Sequence, residues 1–297
     1  MAIFKGAGVA IITPFTEDYK VNYEKLGEII DFQIENGTDA IIICGTTGES
    51  ATLTMEEHKE VIRYCVQRVN GRIPVVAGTG SNATDTAIEL SQDAERDGAD
   101  ALLIVTPYYN KATQRGLVDH YSMIAESVNL PIIMYNVPSR TGTNILPATA
   151  VEIAAKNENI VAIKDAGGNI ANTALMAHLT RKNGVQMDIY SGNDDQIVPL
   201  MSLGAIGVIS VLSNVMPKET HEICANMLSG NLEAARALQL DTLPLVNALF
   251  CEVSPIPVKV AMNLMGMNVG PTRRPLSPME PANVERLKKA MADLNLI

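Results

Sequence analysis

The chain repeats a short phrase. Asn36-Gly37-Thr38-Asp39-Ala40-Ile41-Ile42-Ile43 returns as Asp97-Gly98-Ala99-Asp100-Ala101-Leu102-Leu103-Ile104. The spacing equals two units of about 30 residues, the length of one strand plus one helix. Each glycine suits a helix C-terminus, and each Asp-Ala leads into an apolar run. A second echo pairs Ile73-Pro74-Val75-Val76 with Leu130-Pro131-Ile132-Ile133. There the proline opens the strand, where it removes no interior ladder bond.

This unit predicts strands near residues 7–13, 39–45, 74–79, 101–106, 131–137, 160–164, 187–192 and 207–212. They are short, unbroken and rich in Ile and Val, as parallel strands covered on both faces must be. Amphipathic, helix-length segments lie between them, among them Met55 to Val69 and Ala83 to Asp97, and Thr54 with Glu57 forms a capping box for the first. Eight alternations over about 215 residues predict an α/β fold, a TIM (β/α)8 barrel. The competitor is an open doubly wound sheet, which places a phosphate-binding glycine fingerprint after its first strand; none follows Ile12. After Asn214 the strand signal stops. Helices are expected at Lys218 to Leu228, Leu232 to Leu249, Pro257 to Met265 and Ala282 to Leu294. The expected division is therefore a barrel over 1–216 carrying the active site and a C-terminal helical appendage over 217–297.

Charge narrows the partners. A net charge of −10 argues against nucleic acid and anionic membranes, both polyanions. No apolar run reaches the roughly 18 residues of a membrane span. The segment Met1 to Gly6 carries no signal-peptide pattern, so a cytoplasmic protein is expected. Cys44, Cys65, Cys224 and Cys251 are widely spaced, which predicts free thiols in a reducing compartment. His58, His120, His178 and His221 are scattered and lack metal-ligand spacing, so no metal site is expected.

One charge stands out of place. Lys164 ends the apolar run Ile160-Val161-Ala162-Ile163, immediately before Asp165-Ala166-Gly167-Gly168-Asn169. Buried lysines are rare without a partner, and if the pleat continues Asp165 faces the other way. Two readings stand at this point: a structural lysine snorkelling to the barrel rim, or a desolvated amine that attacks a carbonyl carbon.

Catalytic groups of such barrels sit at the C-terminal ends of the strands. Those ends carry Gly45-Thr46-Thr47-Gly48-Glu49-Ser50, Gly78-Thr79-Gly80, Thr106-Pro107-Tyr108-Tyr109-Asn110, and Tyr135 through Gly142. The first is either a capped turn or a nest of N–H and hydroxyl groups for a carboxylate. Tyr108, Tyr109 and Tyr135 are wall aromatics or proton relays. Arg140 is a solvated loop charge or a clamp for a substrate carboxylate. Taken together, one lysine, several hydroxyls and one arginine suit carbonyl chemistry on an anionic keto acid.

GTTGES at 45–50, TPYYN at 106–110, YNVPSRTG at 135–142, IKDAGGN from Ile163 and SGNDD at 191–195 resemble the dihydrodipicolinate synthase family. That family lies within the N-acetylneuraminate lyase superfamily of pyruvate-dependent class I aldolases, and the likeness runs over essentially the whole chain. It implies condensation of pyruvate with L-aspartate 4-semialdehyde to give 4-hydroxy-tetrahydrodipicolinate, for lysine biosynthesis. It implies Lys164 as the Schiff-base lysine, with Tyr135, Thr46 and Tyr109 as the proton relay, Tyr109 reaching across a dimer interface. Thr46 and Thr47 would hold the pyruvate carboxylate and Arg140 that of the semialdehyde, with Gly192 and Ile209 lining the pocket. No cofactor is implied, and the implied assembly is a homotetramer, a dimer of dimers. Ser50, Ala51, His58, Asn82 and Tyr108 match residues that bind allosteric L-lysine in sensitive members. Met55 and Thr86 depart from that set, standing where a histidine and a glutamate occur. A sister aldolase acting on sugar acids and a non-catalytic keto-acid-binding barrel are the alternatives.

Overall fold

The structure, a computed structural model, describes residues 2–297. Eight parallel strands close into a barrel in chain order: β1 (Gly6–Ala10), β2 (Ala40–Ile43), β3 (Val75–Gly78), β4 (Ala101–Val105), β5 (Ile132–Asn136), β6 (Ile160–Asp165), β7 (Asp188–Ser191) and β8 (Gly207–Ser210). The TIM barrel expected from the repeat is the fold. Most predicted strands overshoot at their C-terminal ends, and after β1 and β8 they do so because apolar sequence continues past the ladder. Ile11 and Ile12, for example, lie beyond β1 yet are fully packed.

Closure joins β8 to β1, with Gly6 opposite Gly207. A Cβ at Gly207 would lie 2.0 Å from the Gly6 carbonyl oxygen, so only glycine permits this approach.

Side chains alternate across the strands with period two. Ala40, Ile42, Val76, Leu103, Ile133, Ala162 and Ile209 fill the barrel. Ile41, Ile43, Leu102, Ile104, Ile132, Met134 and Ile163 face the helices. At the N-terminal end Phe4 plugs the interior, its ring 4.5 Å from that of Tyr190, whose hydroxyl donates to the Phe4 carbonyl at 2.7 Å. That end is a sealed floor.

The helices around the sheet are α1 (Tyr23–Glu35), α2 (Met55–Val69), α3 (Thr84–Arg96), α4 (Gln114–Glu126), the short α5 (Pro138–Thr141), α6 (Pro147–Lys156), α7 (Ile170–Lys182) and α8 (Ile197–Ser202). The Thr54–Glu57 capping box forms as predicted, with N–H···O distances of 3.1 and 3.0 Å. Beyond β8 lie α9 (Pro217–Leu228), α10 (Leu232–Leu249), α11 (Ile256–Leu264) and α12 (Pro281–Ala292). Helix α9 packs on β1 and α8 and takes the eighth helical position of the repeat, while α10 to α12 pack outside it. Among the described residues no helix is long and apolar enough to cross a membrane.

Between α3 and α4, the buried His120 places Nδ1 2.9 Å from the Thr84 hydroxyl, and burial lowers its pKa to about 4. Below about pH 6.5 the unfolded chain takes up a proton that the folded site resists, so stability falls as pH drops from about 6.5 towards 4. Between pH 7 and pH 4 the protein is expected to lose roughly 3 kcal/mol more stability than its His120→Gln variant. Urea denaturation across that range measures it; equal losses in the two proteins would contradict the assignment.

Candidate active site

The pleat decides where Lys164 goes. Ala162 faces the barrel interior, so Lys164, two residues on, faces it too, and Asp165 turns outward. The Asp165 carboxylate accepts from the Gly167 amide at 3.0 Å and the Thr173 hydroxyl at 2.6 Å. It serves the turn after β6 and leaves the lysine alone.

Lys164 is 6 % exposed, and its register partners are Tyr135 on β5 and Tyr190 on β7. Its Nζ lies 4.2 Å from the Tyr135 ring centroid. Tyr135 is likewise buried. Amine and phenol therefore stand side by side above the packed interior, at the C-terminal rim.

Strands β7 and β8 complete this wall. Gly192 follows β7, and its amide donates to the Asp165 carbonyl at 2.8 Å. Ile209 points inward from β8 and is buried. Asp194 binds the next loop: its Oδ2 accepts from the Val211 and Leu212 amides at 3.0 and 2.9 Å. Burial raises the Asp194 pKa, against the pull of these bonds and of the Lys164 charge.

The loop after β2 is tightly wound. The Gly48 amide donates to Gly45 and that of Glu49 to Thr46, both at 3.1 Å, and the Thr13 hydroxyl donates to the Gly48 carbonyl at 2.7 Å. Thr47 is buried and Thr46 half-buried. Cys44 and Glu49, on either side, hold φ of 55° and 53°. Left-handed backbone at a non-glycine residue is strained and persists only where its surroundings over-determine it.

What over-determines Glu49 was not visible in the strand-end motifs. Its Oε1 accepts from Lys259 Nζ at 2.7 Å and its Oε2 from the Arg273 amide at 2.8 Å. Lys259 is 2 % exposed, and burial lowers its pKa to about 8 although Glu49 opposes this. The Arg273 guanidinium grips Glu57 at 2.6 Å and the carbonyls of Thr52 and Tyr19. A sequence signal existed: Lys259 interrupts an apolar helix, as Lys164 interrupts an apolar strand.

Two further candidates stand apart from the lysine. Arg140 lies exposed on α5, and its guanidinium donates to the Ser254 carbonyl at 3.2 Å. Tyr109 is 91 % exposed, with φ of 72°. Within one chain nothing covers it.

Ser50 and Ala51 open a short 3-10 turn before α2. His58 lies buried on α2 and donates from Nε2 to the Gly78 carbonyl at 2.9 Å; burial lowers its pKa. The Asn82 carbonyl accepts from the Asn110 side chain at 2.8 Å, which ties the β3–α3 loop to the segment carrying the half-exposed Tyr108. Thr86 is half-buried on α3, and Met55 is exposed.

The closed barrel and the amine held at its rim define a class, that of (β/α)8 barrels with a buried lysine at the C-terminal end of a strand. Residues 3–294 match the model of the dihydrodipicolinate synthetase family. The chain belongs to that family. It is 60 % identical, over the full length of both chains, to the 4-hydroxy-tetrahydrodipicolinate synthase of Lachnoclostridium phytofermentans. Among solved structures, a dihydrodipicolinate synthase of Acinetobacter baumannii complexed with pyruvate superposes with a TM-score of 0.95 at 45 % identity, covering 99 % of both chains. The corresponding enzyme of Cyanidioschyzon merolae, with lysine bound, gives a TM-score of 0.95 at 38 % identity over all of both chains. A dihydrodipicolinate synthase variant characterised as monomeric gives 0.96 at 43 % identity, covering 99 % of this chain and 98 % of its own.

Proposed function

We propose that the protein condenses pyruvate with L-aspartate 4-semialdehyde through a Schiff base on Lys164, giving 4-hydroxy-tetrahydrodipicolinate in the cytoplasm. The observation that carries this is the amine of Lys164 facing into the barrel beside Tyr135, in a chain of this family. Unprotonated Nζ attacks the keto carbon, and loss of water leaves an imine. The protonated imine draws electrons from the adjacent methyl group, which gives up a proton and becomes an enamine. The enamine carbon bonds to the aldehyde carbon of the second substrate, whose oxygen takes up a proton. The product's amino group then attacks the imine carbon, closes the ring and releases Lys164. The lysine supplies the electron sink, so no metal or organic cofactor is required.

Each remaining residue has a part in this reading. Tyr135 moves the protons, aided by Thr46 and Tyr109. Thr46 and Thr47 hold the pyruvate carboxylate, and Gly192 and Ile209 line its pocket. Arg140 takes the semialdehyde carboxylate, its fork suited to two parallel bonds. Tyr109 acts in a neighbouring subunit's site within a homotetramer built as a dimer of dimers; its near-complete exposure and left-handed backbone support presentation to a partner. Ser50, Ala51, His58, Asn82 and Tyr108 form an allosteric L-lysine site whose ligand set is incomplete.

A coupled assay with both substrates tests the activity. Tyr135→Phe is expected to lower kcat by about 10²–10⁴-fold. Arg140→Ala is expected to raise the KM for the semialdehyde far more than that for pyruvate; equal effects on the two would remove the role given to Arg140.

The shared site is tested by mixing two inactive proteins, Lys164→Ala and Tyr109→Phe, under conditions of subunit exchange. Partial recovery of activity is expected. Demonstrated exchange without recovery would count against it.

Feedback by L-lysine is expected to be weak or absent. Thr86 supplies no carboxylate for the ligand's ammonium, and a hydrogen bond to a charged group contributes roughly 1.5–3 kcal/mol. Strong cooperative inhibition at micromolar lysine in the steady-state assay would overturn this.

A further inference from the structure

The pair of Lys259 and Glu49 joins two parts of the chain that the repeat keeps apart. One is the loop of Thr46 and Thr47 at the barrel rim, and the other is α11 with the segment that follows it. Both carboxylate oxygens of Glu49 are committed, one to Lys259 Nζ at 2.7 Å and one to the Arg273 amide at 2.8 Å. Nζ also donates to the Pro271 carbonyl at 2.7 Å and lies 4.1 Å from the Phe15 ring centroid, while the Arg273 guanidinium lies 4.3 Å from the same ring. Phe15 in turn follows Thr13, which holds the Gly48 carbonyl. Three segments therefore meet on one loop, and the carboxylate has no freedom to turn.

Stability alone is a weak reason for this arrangement. Desolvating two charges offsets most of their attraction, and apolar residues of the same volume often serve a fold as well. What the pair supplies that apolar packing cannot is a fixed direction. It holds Glu49 in a left-handed conformation and thereby sets the turn that begins at Thr46, whose carbonyl accepts from the Glu49 amide.

We propose that Lys259 and Glu49 are positioning residues that set the Thr46–Thr47 loop for the carboxylate of the keto-acid substrate. The proposal rests on the carboxylate-binding role given to that loop. The segment around α11 thus acts on the Thr46–Thr47 loop through a buried ion pair and the Arg273 amide beside it. Misplacement of a binding group by about 1 Å is worth on the order of 10²-fold in activity. Release of the loop is therefore expected to weaken pyruvate binding by about ten- to hundredfold and to leave the semialdehyde, bound at Arg140, nearly unaffected.

Three variants of the full-length protein test this, with KM for each substrate and thermal denaturation read together. Lys259→Met is expected to raise the pyruvate KM by that factor and to lower Tm, because Glu49 is left buried without its cation. The double variant Glu49→Gln/Lys259→Met removes both charges. It is expected to regain Tm while its pyruvate KM stays high. Recovery of KM together with Tm, or a fall in Tm with both KM values unchanged, would reduce the pair to a structural element and overturn the proposal. Should Lys259→Met fail to fold, the double variant decides alone. Thr47→Ala provides the control. A raised pyruvate KM there, with a normal one in the double variant, refutes the positioning role only. An unchanged pyruvate KM in Thr47→Ala refutes the carboxylate reading of the loop and the proposal with it.

Discussion

Closure of eight parallel strands removes every sheet edge and covers both faces of each strand, and the remaining architecture follows from that constraint. The contact of Gly207 on Gly6, where no side chain fits, seals the last gap. Inward positions fill the barrel and outward positions hold the helices. With Phe4 and Tyr190 closing the bottom, polar chemistry is left to the C-terminal rim. Lys164 reaches that rim because it stands two residues beyond Ala162 on the inward side of β6. A register shift of one residue would have turned it into the helical layer.

The loops of the rim are tied by buried carboxylates. Asp194 holds the turn after β8 through two amides, and Asp165 holds the turn after β6 through an amide and a hydroxyl. Glu49 does the same for the loop after β2, with a buried cation and an amide from the far end of the chain. These carboxylates are engaged by amides, a hydroxyl and a buried cation. Rigid support of this kind keeps groups in reacting geometry at no expense in reorganisation during turnover.

Much of this was legible in the sequence because it is local. The strand–helix period, the capping box of α2 and the inward face of Lys164 are set by neighbours within a few residues. The helix Leu232–Leu249 begins and ends where the sequence predicts. Other features are matters of long-range meeting. Glu49 and Lys259 lie 210 residues apart, Glu57 and Arg273 216, and Asn214, which caps β1 through the Ala10 carbonyl at 2.9 Å, is 204 residues from it. No periodicity encodes such pairs. Lys259 nevertheless carries the same mark as Lys164, a lone charge within an apolar run. Tyr109 is a different case: its motif is plain in the sequence, but its 91 % exposure in a single chain is not.

The proposed chemistry depends on one covalent bond, between Lys164 and the keto carbon of pyruvate. Incubating the protein with pyruvate and borohydride, followed by peptide mass spectrometry, reads that bond directly. The expected result is a reduced three-carbon adduct on Lys164 and none in the Lys164→Arg protein, whose guanidinium stays protonated and cannot attack. An adduct on Lys259 or Lys111 instead, or an unmodified protein that still condenses the two substrates, would contradict it.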